Sequence, residues 1–114
     1  MNRKIDLSGH RVLITGTGGG MGSEIACTMA AWGARVGATD MKLEAAQATL
    51  KKIEAAGGQG CAVAIDIGDE ASVDQGVAEC WNQLGGVDLL LNNAGVLSVS
   101  NVVDMSLKDW NFVM

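Results

Sequence analysis

Val12-Leu13-Ile14-Thr15-Gly16-Thr17-Gly18-Gly19-Gly20-Met21-Gly22-Ser23-Glu24-Ile25-Ala26 is the stretch on which the fold turns. An apolar run ends in a glycine-rich turn, and a helical pattern begins inside that turn. Glycine takes positive φ without penalty and lets a ligand approach the main chain closely. The first turn of the helix then aims unpaired N–H groups, and the positive end of its dipole, at an anion. Glycine clusters are usually only loops. Here the strand before and the helix after supply the context that a phosphate-binding fingerprint needs.

Outward from that turn the chain alternates. Arg11 to Thr15 reads as a buried strand, because aliphatic and β-branched residues run continuously. Gly20 to Trp32 reads as a helix, with Ile25, Met29 and Trp32 on one side, small Ala26 and Ala30 beside them, and Gly33 as its stop. Arg35 to Thr39 is a second strand ending at Asp40. Leu43, Ala46, Leu50 and Ile53 then repeat at helical spacing up to Gly57-Gly58. Cys61 to Ile65 is a third strand. A helix follows from about Asp69, with Asp69 and Glu70 suited to its first turn and Val73, Val77, Cys80, Trp81 and Leu84 as its expected apolar stripe. Val87 to Leu91 is a fourth strand, and Asp104 to Met114 begins another helix.

Strands without polar alternation, set between helices, imply a parallel sheet covered on both faces. The expected fold class is α/β: a doubly wound, Rossmann-like sheet in the order 3-2-1-4, cut after the fourth strand and the start of the next helix. Residues 1–114 are expected to form a single domain. Ligands bind such sheets at the carboxyl ends of the strands, at the switch point between strands one and four. The glycine turn, Asp40, Asp66 and Asn92-Asn93-Ala94-Gly95 all fall at those ends.

Composition narrows the function classes. The chain has 114 residues, 48% of them hydrophobic and 18% charged, which suits a globular domain. Its net charge of −5 argues against a nucleic-acid surface. The apolar runs are too short for a membrane span, and the polar N-terminus lacks the core of a signal peptide. Cys27, Cys61 and Cys80 show neither metal-ligand nor CxxC spacing, so they read as small buried hydrophobes in a reducing cytoplasm. His10, the one histidine, precedes the first strand and is expected at the surface. Trp32, Trp81 and Trp110 sit among aliphatic residues at helical spacing, as core or interface residues.

A carboxylate at Asp40 can accept both hydroxyls of an adenosine ribose and would repel a 2′-phosphate, favouring NAD over NADP. No Arg or Lys occurs in Thr17–Gly20 to offset it, although Lys42 is near. The plain alternative is that Asp40 only begins a helix. Asp66 can meet an adenine amino group, with the Ile67 backbone beside it, or can equally serve as a helix-start carboxylate. Asn92 and Asn93 can be simple loop formers.

Thr15-Gly16-xxx-Gly20-x-Gly22, with Asn92-Asn93-Ala94-Gly95 downstream and Asp40 and Asp66-Ile67 between, resembles the short-chain dehydrogenase/reductase family. The resemblance covers Ser8 to Met114. It implies that Gly16, Thr17, Gly19, Gly20 and Gly22 cradle a pyrophosphate, with Met21 at the hydrophobic position under the cofactor. It implies further that Asp40 holds the adenosine ribose, that Asp66 and Ile67 meet the adenine, and that Asn93, Ala94 and Gly95 flank the dinucleotide. Asn92 is expected to help hold the sheet together.

Members of that family are longer, and they transfer hydride with a Ser, a Tyr, a Lys four residues after the Tyr, and an Asn. This chain contains no tyrosine. Losing a general acid costs a factor of about 10²–10⁴, so the 114 residues alone are expected to be inactive, with no catalytic residue assigned among them. Asn111 precedes the position of the family's catalytic Asn, and Ser98 and Ser100 read as loop residues. Two functions therefore stand side by side: the NAD(H)-binding half of an oxidoreductase, or a non-catalytic dinucleotide-binding or structural module. Binding of S-adenosylmethionine on a similar sheet fits Asn92–Gly95 poorly. An apolar fourth strand at the sheet edge, and a face covered only by the Asp69–Leu84 helix, lead to an expectation of self-association, strand exchange or marginal stability.

Overall fold

The computed structural model describes residues 5–95 and 102–114. Four strands, β1 (Arg11–Ile14), β2 (Arg35–Asp40), β3 (Gln59–Ala64) and β4 (Leu89–Leu91), form one sheet in the order β3-β2-β1-β4. All three pairings are parallel, with Val12 beside Val36 on one side and Leu89 on the other. Helices α1 (Gly20–Ala31), α2 (Leu43–Ala55) and α3 (Glu70–Leu84) connect the strands, and a short α4 (Leu107–Val113) follows β4. This is the Rossmann-like α/β arrangement that the alternation predicts.

Strand side chains alternate between the two faces of the sheet, and the core divides accordingly. Val12, Ile14 and Val36 pack with Ala26 and Ala30 of α1 and Ile53 of α2. Leu13, Cys61, Val63 and Ile65 pack with Cys80 and Leu84 of α3. Small residues bring α3 close: a Cβ at Gly76 would lie 2.2 Å from Ile65 Cγ1.

Helix termini are set locally. Asp69 caps α3, its carboxylate accepting from the Ala71 N–H at 3.1 Å. The other end of α3 is held by two arginines from the starts of β1 and β2. Arg35 donates to the carbonyl oxygens of Leu84 (2.8 Å) and Gln83 (3.2 Å), and Arg11 donates to that of Gly85. Arg11 also pairs with Asp88: Nε and NH2 each donate at 3.0 Å to its carboxylate, as does the Arg11 backbone N–H at 2.8 Å. These bonds hold the Asp88 carboxyl at about 2 and raise the Arg11 guanidinium. The charged clamp therefore lies at the amino end of the strands, opposite the carboxyl edge.

Three expectations change. The α3 stripe is narrower than the spacing suggests: Gly76, Cys80 and Leu84 are buried, whereas Val77 and Trp81 are 38% and 54% exposed. The reason is that β3 and β2 meet one side of α3 only, and its far flank has no described neighbour. Trp110 on α4 is likewise exposed, so neither Trp81 nor Trp110 is a core residue here, while Trp32 is half-buried. The last helix starts later than Asp104, because Ser106 caps it by accepting from the Asp109 N–H, and Val102–Asp104 forms a separate 3₁₀ turn. His10 is exposed, as expected. Ser98 and Ser100 lie outside the described residues.

Candidate dinucleotide site

The glycine turn leaves β1 at Thr15 and reaches α1 by way of two left-handed glycines, Gly16 (φ +69°) and Gly20 (φ +54°). Both conformations are open to glycine and strained for other residues. The turn is folded tightly against itself. A Cβ at Gly22 would lie 2.1 Å from the Gly16 carbonyl oxygen and 2.6 Å from Asn93 Nδ2, and one at Gly16 would lie 2.8 Å from Ala94 Cα. Glycine at 16 and 22 is thus a requirement of close backbone approach.

The loop after β4 is tied to this turn. Thr15 Oγ1 accepts from the N–H groups of Asn93 and Ala94, both at 3.0 Å. Asn93 Nδ2 donates to the Gly16 carbonyl oxygen at 3.1 Å. The side-chain tie thus runs through Asn93, and Asn92, expected to hold the sheet, is exposed. Gly95 is exposed beside them.

Below the turn lies a threonine ladder. Thr17 is fully buried; its N–H donates to the Thr39 carbonyl oxygen at 2.9 Å and its hydroxyl to the same oxygen at 3.2 Å. Thr39 Oγ1 donates to the Ile14 carbonyl oxygen at 2.8 Å, and Thr49 Oγ1 donates to the Thr17 carbonyl oxygen at 2.5 Å. Thr17 therefore turns into the core and offers no free donor to a ligand, a correction to its place among the cradle residues. Its role is to hold the turn from beneath.

The mouth of the turn has the opposite character. A Cβ at Gly19 or Gly20 would meet nothing within 4 Å. Gly19 caps α1 with no side-chain bond, and the first helical turn carries no acid. The N–H groups of Gly20, Met21 and Gly22 are among the first helical donors, which lack an intrahelical partner. Met21, 71% exposed, stands on that first turn.

Asp40 closes the side of the mouth. Its Oδ1 accepts from the Gly18 N–H and its Oδ2 from the Lys42 N–H, both at 3.1 Å. Lys42, not Asp40, caps α2, so Asp40 is more than a helix start. Each carboxylate oxygen keeps a further acceptor site. Asp66 sits at the end of β3 in a similar turn: Oδ1 accepts from the Gly68 N–H at 2.9 Å, and its own N–H donates to Ser72 Oγ at 2.9 Å. Ile67 beside it is 54% exposed. Asp69, not Asp66, caps α3.

All four sequence features therefore stand on the carboxyl edge, and the glycine turn is joined directly to two of them, Asp40 and Asn93. Gly18, Thr39 and Thr49 also brace the turn, and so does Thr15 at the head of the motif, although sequence reading assigns none of the four a bond of its own. Gly18 is concealed by its neighbouring glycines, and the threonines read as ordinary β-branched strand or helix residues. The donor set fits a diphosphate with a sugar diol: uncapped helical N–H groups over open space, and a carboxylate with acceptor sites to spare.

Comparison with known proteins agrees with this geometry. The family model for short chain dehydrogenase matches residues 10–114. Sorbitol dehydrogenase of Cereibacter sphaeroides is 38% identical over 105 residues, covering 92% of this chain and 40% of that protein. Gluconate 5-dehydrogenase of Gluconobacter oxydans (strain 621H) is 33% identical over 108 residues, covering 95% of this chain and 42% of that protein. Among solved structures, a hydroxysteroid dehydrogenase from Escherichia coli superposes with a TM-score of 0.87 at 37% identity, over 92% of this chain and 44% of that one. A short-chain type dehydrogenase/reductase from Mycobacterium marinum gives 0.90 at 32% identity, over 95% and 44%. The chain spans about two fifths of the length of the curated relatives it matches.

Proposed function

Because the chain belongs to the short-chain dehydrogenase family, we propose that residues 1–114 act as one dinucleotide-binding unit, the NAD(H)-binding portion of an oxidoreductase. The family reaction is reversible hydride transfer between nicotinamide and an alcohol or carbonyl. The observation that carries the cofactor choice is Asp40, a carboxylate beside the glycine turn with acceptor sites left for a ribose diol.

In this reading the N–H groups of Gly19, Gly20, Met21 and Gly22 hold the pyrophosphate, and Gly16 allows the turn to close behind it. Asp40 takes the adenosine ribose and disfavours NADP by repelling a 2′-phosphate. Asp66 and the Ile67 backbone meet the adenine, Met21 lies under the cofactor, and Asn93, Ala94 and Gly95 flank it. When bound, the dinucleotide supplies the hydride acceptor or donor; these residues bind and orient it. The general acid of the reaction is not among them, since the 114 residues contain no tyrosine. The unpaired cysteines suit a cytoplasmic setting. Exposed Leu89 and Leu90 at the edge strand and Trp81 on α3 support self-association.

Titration of the purified chain with NADH and with NADPH tests the cofactor choice. Tighter binding of NADH is expected, with Asp40→Ala losing tenfold or more of that affinity, the order of one hydrogen bond to a charged group. Unchanged affinity in the variant removes Asp40 from the site. No heat with either dinucleotide on folded protein removes the function.

A further inference from the structure

Cys61 and Cys80 stand far apart in sequence, yet the fold brings them together. Cys61 lies on β3 and is paired in register with Gly37 of β2. Paired residues in a ladder project from the same face of a sheet. Gly37 lacks a side chain, and a Cβ built there would lie 3.4 Å from Cys80 Sγ. The Cys80 sulfur of α3 thus rests over the bare position next to Cys61. Both residues are buried in the same packed group, with Leu13, Val63, Ile65 and Leu84. Cys27 is on α1, which packs on the other face of the sheet.

We propose that Cys61 and Cys80 form an oxidisable dithiol, closed to an intramolecular disulfide by a peroxide, that fastens α3 to β3. Cys61 is the attacking sulfur. It is 5% exposed against 0% for Cys80, and so lies nearer the surface from which an oxidant arrives. Cys61 thiolate attacks one peroxide oxygen: an S–O bond forms, the O–O bond breaks, and hydroxide leaves to take up the proton that Cys61 released. Cys80 sulfur then attacks Cys61 sulfur: the S–S bond forms, the S–O bond breaks, and water leaves with the Cys80 proton. Two thiols and one hydrogen peroxide give one disulfide and two waters. The bond spans the segment that carries Asp66 and Ile67, and so links the redox state of the chain to the edge of the candidate site.

The purified full chain is treated with hydrogen peroxide, alkylated in denaturant, digested without reductant and mapped by mass. Conversion of exposed Met21 to its sulfoxide shows that the dose was effective. The expected product joins the Cys61 and Cys80 peptides of one chain, lighter by two hydrogens than the separate thiols, with Cys27 alkylated and both thiols restored by dithiothreitol. Full alkylation of Cys61 and Cys80 at that dose overturns the proposal. So does their recovery as oxygen-bearing acids or as links between chains.

Discussion

The Gly18 N–H donates to Asp40 Oδ1 at 3.1 Å, so the acid at the end of β2 also braces the glycine turn after β1. A Cβ at position 18 would lie 2.8 Å from that same oxygen and 2.7 Å from Ala45 Cβ. Asp40→Ala is therefore expected to do two things at once. It lowers stability by about 1 kcal/mol, the net worth of an ordinary hydrogen bond, and it weakens NADH binding. Asp40→Asn retains an acceptor for Gly18 and recovers most of the stability without the charge. Urea unfolding beside NADH titration of both variants separates the brace from the ligand contact.

Gly22 and Gly19 are expected to part company. Gly22→Ala forces a Cβ against the Gly16 carbonyl oxygen, 2.1 Å away in the native backbone, an overpacking that costs about 1–3 kcal/mol or more. Gly19→Ala meets open space on extended backbone and is expected to change stability by less than about 0.5 kcal/mol. Thermal unfolding of the two variants makes the comparison; equal losses contradict the close approach described for Gly22.

Thr49 is the support that periodicity does not reveal. Its hydroxyl donates to the Thr17 carbonyl oxygen, and Thr49 is buried. Thr49→Val keeps the shape but leaves that carbonyl without this donor, at an expected cost of about 1–3 kcal/mol. A loss of NADH affinity larger than that of stability would show that the ladder also positions the turn. Denaturant midpoints and dinucleotide titration read the two effects.

Asp88 sets an acid-sensitive step. Arg11 holds its carboxyl at about 2, below its ordinary 3.8. A carboxylate depressed on folding contributes stability that is present above its unfolded value and is lost as pH falls through the folded one. Stability of the native chain should therefore fall between about pH 4 and pH 2, and Asp88→Asn should flatten that segment while lowering stability near neutrality. Urea midpoints across this range check both parts. A variant curve parallel to the native one would exclude Asp88 as the titrating group.

Exposed Leu89, Leu90 and Trp81 predict concentration-dependent association of the isolated chain. Sedimentation should show it, and Trp81→Lys should shift the population toward monomer. A native chain that stays monomeric and binds no hydrophobic dye contradicts it.

Much of this was legible in the residues. The order β3-β2-β1-β4 follows from unbroken apolar strands between helices, and Gly16, Asp40 and Asn93 fall at strand ends because loops in such a sheet gather at one edge. Burial along α3 was not legible, since Val77 and Trp81 keep helical spacing whether or not a neighbour covers them. Nor was the direction of Thr17: a residue inside a glycine turn reads as a ligand contact until Thr39 and Thr49 are found bonded to it. The meeting of Cys61 with Cys80 depends on the β2–β3 register, which local pattern does not encode.

Backbone amide resonances of the labelled chain, followed while NADH is added, test the binding site most directly. Saturable shifts are predicted at Gly18 through Gly22, at Asp40 and at Asn93 through Gly95, with the amides of Arg11 and Asp88 at the far end of the sheet unmoved. Shifts confined to the outer face of α3, or none at the glycine turn, would contradict the account.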